Sequence, residues 1–167
     1  MEERQKLLQN IDAVFSKVYE TVLNDNDLRI AVDSIDNDSD DVILMEMNFL
    51  DDSELGNNHL FQIYTTICFD FNTENTDEIL GKLNELSIKS SIGSFGIYKQ
   101  LNHIFHRYTL YIRNTDDIGF IYDVSVIAQR IISIITFLYQ YIKTIASNPS
   151  QITLDDYLKS KNLGGFS

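Results

Sequence analysis

The residues from Gly119 to Ala146 read GFIYDVSVIAQRIISIITFLYQYIKTIA, and no other stretch limits the possible folds of this chain as strongly. Ile121, Val124, Ile127, Ala128, Ile131, Ile134, Ile135, Leu138, Ile142 and Ile145 recur at three- and four-residue steps, which puts them on one face of a helix. Asp123, Gln129, Arg130, Ser133, Thr136, Gln140 and Lys143 fall mostly opposite. Tyr122, Val126, Ile132, Phe137, Tyr139 and Tyr141 widen the apolar arc beyond the needs of one contact surface. A helix of this length runs roughly 42 Å at about 1.5 Å per residue, enough to cross a small sheet and offer a second surface. Its longest charge-free run, Ile131 to Ile142, is 12 residues between Arg130 and Lys143. A membrane span takes roughly 18 to 20. The expectation is therefore a core helix of a soluble, cytoplasmic protein.

Where the charge sits matters more than its sum. The chain of 167 residues carries a net −12. Twelve acidic residues lie between Glu20 and Glu54 against the single basic Arg29, so that window holds −11. Clustered Lys and Arg, which phosphate contacts require, are missing from the sequence, and nucleic-acid binding is disfavoured. An acidic segment suits a basic partner, or serves only to keep the protein soluble. The lone Cys68 cannot form an intramolecular disulfide. The opening residues MEERQKLLQN have no apolar signal-peptide core.

In chain order, residues 3 to about 23 carry a helical stripe of Leu7, Leu8, Ile11, Val14, Phe15, Val18 and Val22. Three strand-like runs follow, beginning with Leu28, Ile30 and Val32. In the second, Ile43, Met45, Met47 and Phe49 share a face; in the third, Leu60 to Phe71, the shared face is Phe61, Ile63, Thr65, Ile67, Phe69 and Phe71. Short polar links favour an antiparallel meander. Asn75 to Glu78 has the form of a capping box opening a helix with Ile79, Leu80, Leu83 and Leu86 inward. Two strands, about Gly93 to Lys99 and His103 to Arg113, lead to the long helix. Thr153-Leu154-Asp155-Asp156 caps a short last one. The order predicted is α-β-β-β-α-β-β-α in one α+β domain over 1–148, with 149–167 a C-terminal extension.

Candidate chemistry is sparse. His103 and His106 lie three apart on a strand and point to opposite faces, so they do not converge on a metal. Asp36-Asn37-Asp38-Ser39-Asp40 imitates the start of a calcium loop. The sixth position is Asp41 where glycine is needed, and the twelfth is Met47 where glutamate is needed. Gly93-Ser94-Phe95-Gly96 lacks the spacing and lysine of a phosphate loop and reads as a bend at a strand start. No nucleophile–base pair stands out. The expectation is a protein that is not an enzyme, with no catalytic or metal-binding residues and no cofactor.

Three segments carry a resemblance: Leu80-Gly81-Lys82-Leu83-Asn84-Glu85-Leu86, Gly93-Ser94-Phe95-Gly96-Ile97 and Tyr108-Thr109-Leu110-Tyr111-Ile112. With the element order over residues 3 to 146, the region resembles the YbjN-like family and, more distantly, the type III secretion chaperones. The resemblance implies a twisted antiparallel sheet packed with helices, often homodimeric, that holds segments of a partner. The loops at 36–41 and 51–58 depart from it. The functional expectation is a chaperone-like or regulatory protein-binding domain that buries apolar surface of a protein partner or of a second copy. Tyr122, Ile132, Phe137 and Tyr139 are its candidate contacts, and Asp36, Asp38, Asp40 and Asp41 its electrostatic guide. The alternative is an acidic immunity or inhibitor protein that neutralises a basic toxin or nuclease.

Overall fold

Alternation of buried and outward residues along successive strands builds a six-stranded sheet, and every helix that covers it lies on its apolar side. The computed structural model describes residues 2–33, 42–50, 59–68, 70–112 and 118–161. Helix α1 (Glu2–Phe15) is followed by strands β1 (Glu20–Leu23), β2 (Asp27–Asp33), β3 (Val42–Leu50) and β4 (His59–Cys68). Helix α2 (Thr76–Lys89), strands β5 (Ser94–Tyr98) and β6 (His103–Ile112), helix α3 (Ile118–Ser147) and helix α4 (Leu154–Ser160) complete the order. The sheet runs β1-β2-β3-β4-β6-β5, and all its pairings are antiparallel. The α+β class and the general order of the expected layout are present.

The inward face is Leu28, Ile30 and Val32 from β2, then Ile43, Met45 and Met47 from β3. Phe61, Ile63, Thr65 and Ile67 continue it from β4, with Ile104, His106 and Ile112 from β6. Period-two alternation fixes this assignment, since a one-residue slip would turn each row to solvent. α1 lies over β1 and β2, α3 over β4, and α2 against β5; α3 touches both other helices and is the middle of the helical layer. By length and composition alone α3 passes as a membrane span. Here its Val124, Ala128, Ile131, Ile135, Ile142 and Ile145 belong to the core over the sheet.

The first helix departs from expectation. It ends at Phe15, where Ser16 N–H bonds Asp12 O at 2.8 Å and Tyr19 N–H bonds Phe15 O at 2.9 Å. Residues 20–23 form an additional edge strand instead of further helix, so four strands precede α2. Thr21 and Val22 are β-branched and pair with Ile30 and Arg29, and Thr21 Oγ1 donates to Asp12 Oδ1 at 2.6 Å. Val18 and Val22, which extended the helical stripe on paper, are 72% and 54% exposed. They had no core to meet. The hairpin to β2 closes through Asn24, whose N–H and side-chain amide bond Asp27 O and Oδ1, each at 2.9 Å.

The capping of α2 also differs. Asn75 makes no side-chain cap, and the Asn72 carboxamide accepts from Glu74 N–H at the start of a 3-10 turn over Thr73–Asn75. Glu78 is engaged elsewhere, accepting from Ser150 Oγ at 2.7 Å. The cap on α4 is as expected: Thr153 Oγ1 accepts from Asp156 N–H at 3.2 Å and donates to its carboxylate at 2.6 Å. The extension after residue 148 joins the main core through Leu154 and Tyr157, 2% and 5% exposed.

Candidate functional site

Two surfaces are left once the core is closed. The first is a shallow groove of about 510 Å³ where Val14 of α1 faces Ile121, Tyr122, Ser125 and Val126 of α3, with Gln129, Arg130 and Ser133 along its rim. Tyr122 is 70% exposed and Val14 43%. A single exposed tyrosine is ordinary; an exposed ring beside exposed Val14 and half-buried Val126 on two packed helices is a patch. Ser125 turns its hydroxyl back to Ile121 O at 2.8 Å, so the groove floor offers little free polarity. Asp123 and Arg130 stand exposed beside it, seven residues apart and hence on one edge of the helix.

The second surface is the outward face of the sheet. Register sets it out in rows: Ala31, Leu44, Thr66, Phe105 and Gly96 across five strands, and Arg29, Glu46, Tyr64, Arg107 and Ser94 beside them. Tyr64 and Phe105 stack with centroids 5.0 Å apart at 26°. A Cβ on Gly96 would come within 2.8 Å of the Phe105 ring, so the ring lies flat over that glycine. Arg29 pairs with Asp27 and Glu46, each at 3.0 Å. Burial, and then the Glu46 charge, push the Tyr64 phenol above its ordinary pKa. A depression of about 460 Å³ lies over this aromatic pair, bounded by Tyr98, Leu101 and His103.

The residues expected to contact a partner are separated by the fold. Tyr122 lines the groove. Ile132 and Tyr139 are each 7% exposed and lie in the core, and Lys143 Nζ sits 5.8 Å from the Tyr139 ring. As partner contacts they are corrected, because their side chains are already covered within the chain. Phe137 is half-buried beneath α4: the Tyr157 ring lies 6.0 Å away, and Tyr157 Oη donates to Phe137 O at 2.6 Å. Asp36, Asp38, Asp40 and Asp41 lie outside the described residues, as do Phe69, the side chain of Cys68 and the loop 51–58. Reasoning on sequence passed over Val14 as a docking residue because the stripe of the first helix assigned it to the core. It also passed over the Tyr64–Phe105 pair, whose signal was an apolar residue at outward positions of two neighbouring strands.

Of the titratable groups, Glu46, Tyr64, Tyr98, His103 and Arg107 gather around the depression on the sheet, and the groove has Tyr122 and Arg130. His106 is buried and His103 projects from the other face of β6, as strand geometry requires. His59 accepts from Arg4 Nη2 at 2.9 Å, and burial followed by the Arg4 charge lowers its pKa. Among the described residues, no three His, Cys, Asp or Glu side chains group as metal ligands. The arrangement offers apolar contact area framed by a few charges. No protein-family model matches this sequence, and no curated protein matches it.

Proposed function

We propose that the chain is a non-enzymatic protein-binding domain, chaperone-like or regulatory, that buries apolar surface of a protein partner in the groove between α1 and the first half of α3. The observation that carries this reading is the 70% exposure of Tyr122 beside Val14 and Val126, on a helix whose opposite face packs in the core. Full burial of a side chain of that kind contributes on the order of 1.5–3 kcal/mol. A ring flanked by aliphatic side chains and a polar rim is the composition of an interface centre.

A second copy is the simplest partner. Two antiparallel copies of α3 related by a twofold axis near Val126 and Ile127 would set Asp123 of each against Arg130 of the other. Neither residue has an ion pair among the described residues. A rim pair of this kind fixes register more than it adds affinity.

Analytical ultracentrifugation from about 1 to 200 µM tests the reading. The expected result is a monomer–dimer equilibrium abolished by Tyr122→Ser with Val126→Ser. Asp123→Arg alone should weaken it, and Asp123→Arg with Arg130→Asp should restore it. A clean monomer across that range sinks the homodimer and leaves only a different protein as occupant. Capture of a basic partner that is lost steeply with salt, and is insensitive to the groove substitutions, would favour the acidic inhibitor reading.

A further inference from the structure

His106 is buried to 1% exposure at the centre of a tight local wrap. Its Nε2 lies 2.8 Å from Ile92 O. A carbonyl only accepts, so Nε2 carries the proton and Nδ1 is left with a lone pair. Nδ1 is buried with no hydrogen-bond partner among the described residues, and so is Oγ1 of Thr65, its cross-strand neighbour. The Phe95 ring packs edge-on at 4.9 Å. Gly93 has φ +71°, and a Cβ there would fall 2.5 Å from Nε2, so residues 92–95 close around the imidazole without slack. Ile92 O also accepts from Ser90 Oγ at 2.9 Å.

On its outer edge β5 has one further tie. Ser87 Oγ accepts from Phe95 N–H at 2.8 Å and donates to Leu83 O at 2.9 Å, back into α2. The start of β5 is therefore held by uncharged groups alone. Tyr108, two residues along β6, shares the inward face of His106 and packs against the core. Glu85 and Lys89 of α2 pair with each other at 3.3 Å, and His103 and Arg107 leave the opposite face of β6. Tyr141 of α3 is a buried phenol. The inward residues of β5 are not titratable, and on β4 His59 stands at the far end of the strand, six residues from Thr65, against Arg4 of α1.

We propose that β5 is an acid-released edge strand: a proton taken up by Nδ1 of His106 makes a buried cation with no acceptor, which frees residues 92–98 and uncovers the β6 backbone. An imidazolium in this wrap has no counter-charge, and isolated buried cations are not sustained. Burial already holds the His106 pKa below 6.5, with the Ile92 carbonyl opposing the shift. The released state takes its proton at the ordinary value and the closed state only at lower pH. Closure is therefore fully favoured above about pH 6.5, and it weakens up to tenfold per pH unit as the pH falls toward the closed-state value.

Hydrogen exchange on the intact chain at pH 7.5 and 5.0, corrected for intrinsic rates, tests this. Protection of amides 92–98 should fall by about five- to thirtyfold, while β2, which has no histidine, holds its own. His106→Gln should remove the difference between the two pH values. Unchanged β5 protection, or an equal fall in β2, overturns the proposal. Should the variant not fold, the His106 ring resonances of the wild type supply the check. Their titration midpoint must coincide with the loss of β5 protection, and separate midpoints overturn it.

Discussion

The two halves of α3 are similar in sequence and opposite in fate. From residue 131 onward the wide apolar arc is covered from within. Tyr157 of α4 packs on Phe137 at 6.0 Å and on Tyr141 at 5.5 Å, and Leu154 joins the same core. Before residue 131 the corresponding side chains, Tyr122 and Val126, face a groove with Val14 alone across from them among the described residues. The difference lies in which segment returns. Asn148 N–H bonds Thr144 O at 2.8 Å and Gln151 N–H bonds Asn148 O at 3.1 Å, a turn that brings 154–160 back along the second half alone. Excess apolar width on a helix announces a cover; it does not say whether the cover belongs to the same chain.

The contrast can be broken most strongly at Tyr157. Tyr157→Ala removes a ring from between α3 and α4 and should cost about 3–5 kcal/mol in a urea melt. Loss below about 1 kcal/mol would mean that α4 is no cover at all. Next comes Tyr141, whose phenol burial pushes up to about 12, with the Glu85 and Asp155 charges assisting. An acid whose folded value lies above its unfolded one stabilises fully below about pH 10 and loses that contribution as pH rises through about 12. On the order of 2–3 kcal/mol should therefore vanish in that window. Ultraviolet titration of the phenolate follows it, and Tyr141→Phe should flatten that part of the alkaline stability curve.

Tyr157→Phe isolates the bond to Phe137 O and should cost about 1 kcal/mol. In the open half, Tyr122→Ser should move stability by no more than about 0.5 kcal/mol while weakening association. A large stability loss there would place Tyr122 in the core and erase the contrast. Lys89→Ala is expected to fall within the error of a melt, since its bridges to Glu85 and Asp155 join exposed side chains.

Much of the fold was legible because strand alternation and helical spacing report burial directly. Ile43, Met45 and Met47, or Phe61, Ile63 and Ile67, could face only one way. The end of the first helix was not legible. Val14, Val18 and Val22 continue a helical period by spacing alone, and only pairing with β2 reveals that the last of them lies in a strand. The candidate site suffered from the same blindness. Ile132 and Tyr139 extend the apolar arc as fully as Tyr122 does, and periodicity holds no information about which neighbour buries them. His106 was read correctly as pointing away from His103. Its hold on Ile92 depends on the positive φ of Gly93, which a lone glycine does not disclose.

The middle of the helical layer is also the last of its three long helices to be synthesised. Strands β2, β3 and β4 emerge, pair and present Met45, Met47, Phe61 and Ile63 well before residues 118–147 exist to lie over them. α1 and α2 flank that opening without closing it. Until α3 arrives, the nascent chain carries an uncapped apolar trough, the kind of surface that recruits holding factors or aggregates. Docking of α3 on the sheet is a long-range event, and a chain that stops short of residue 118 is expected to be insoluble.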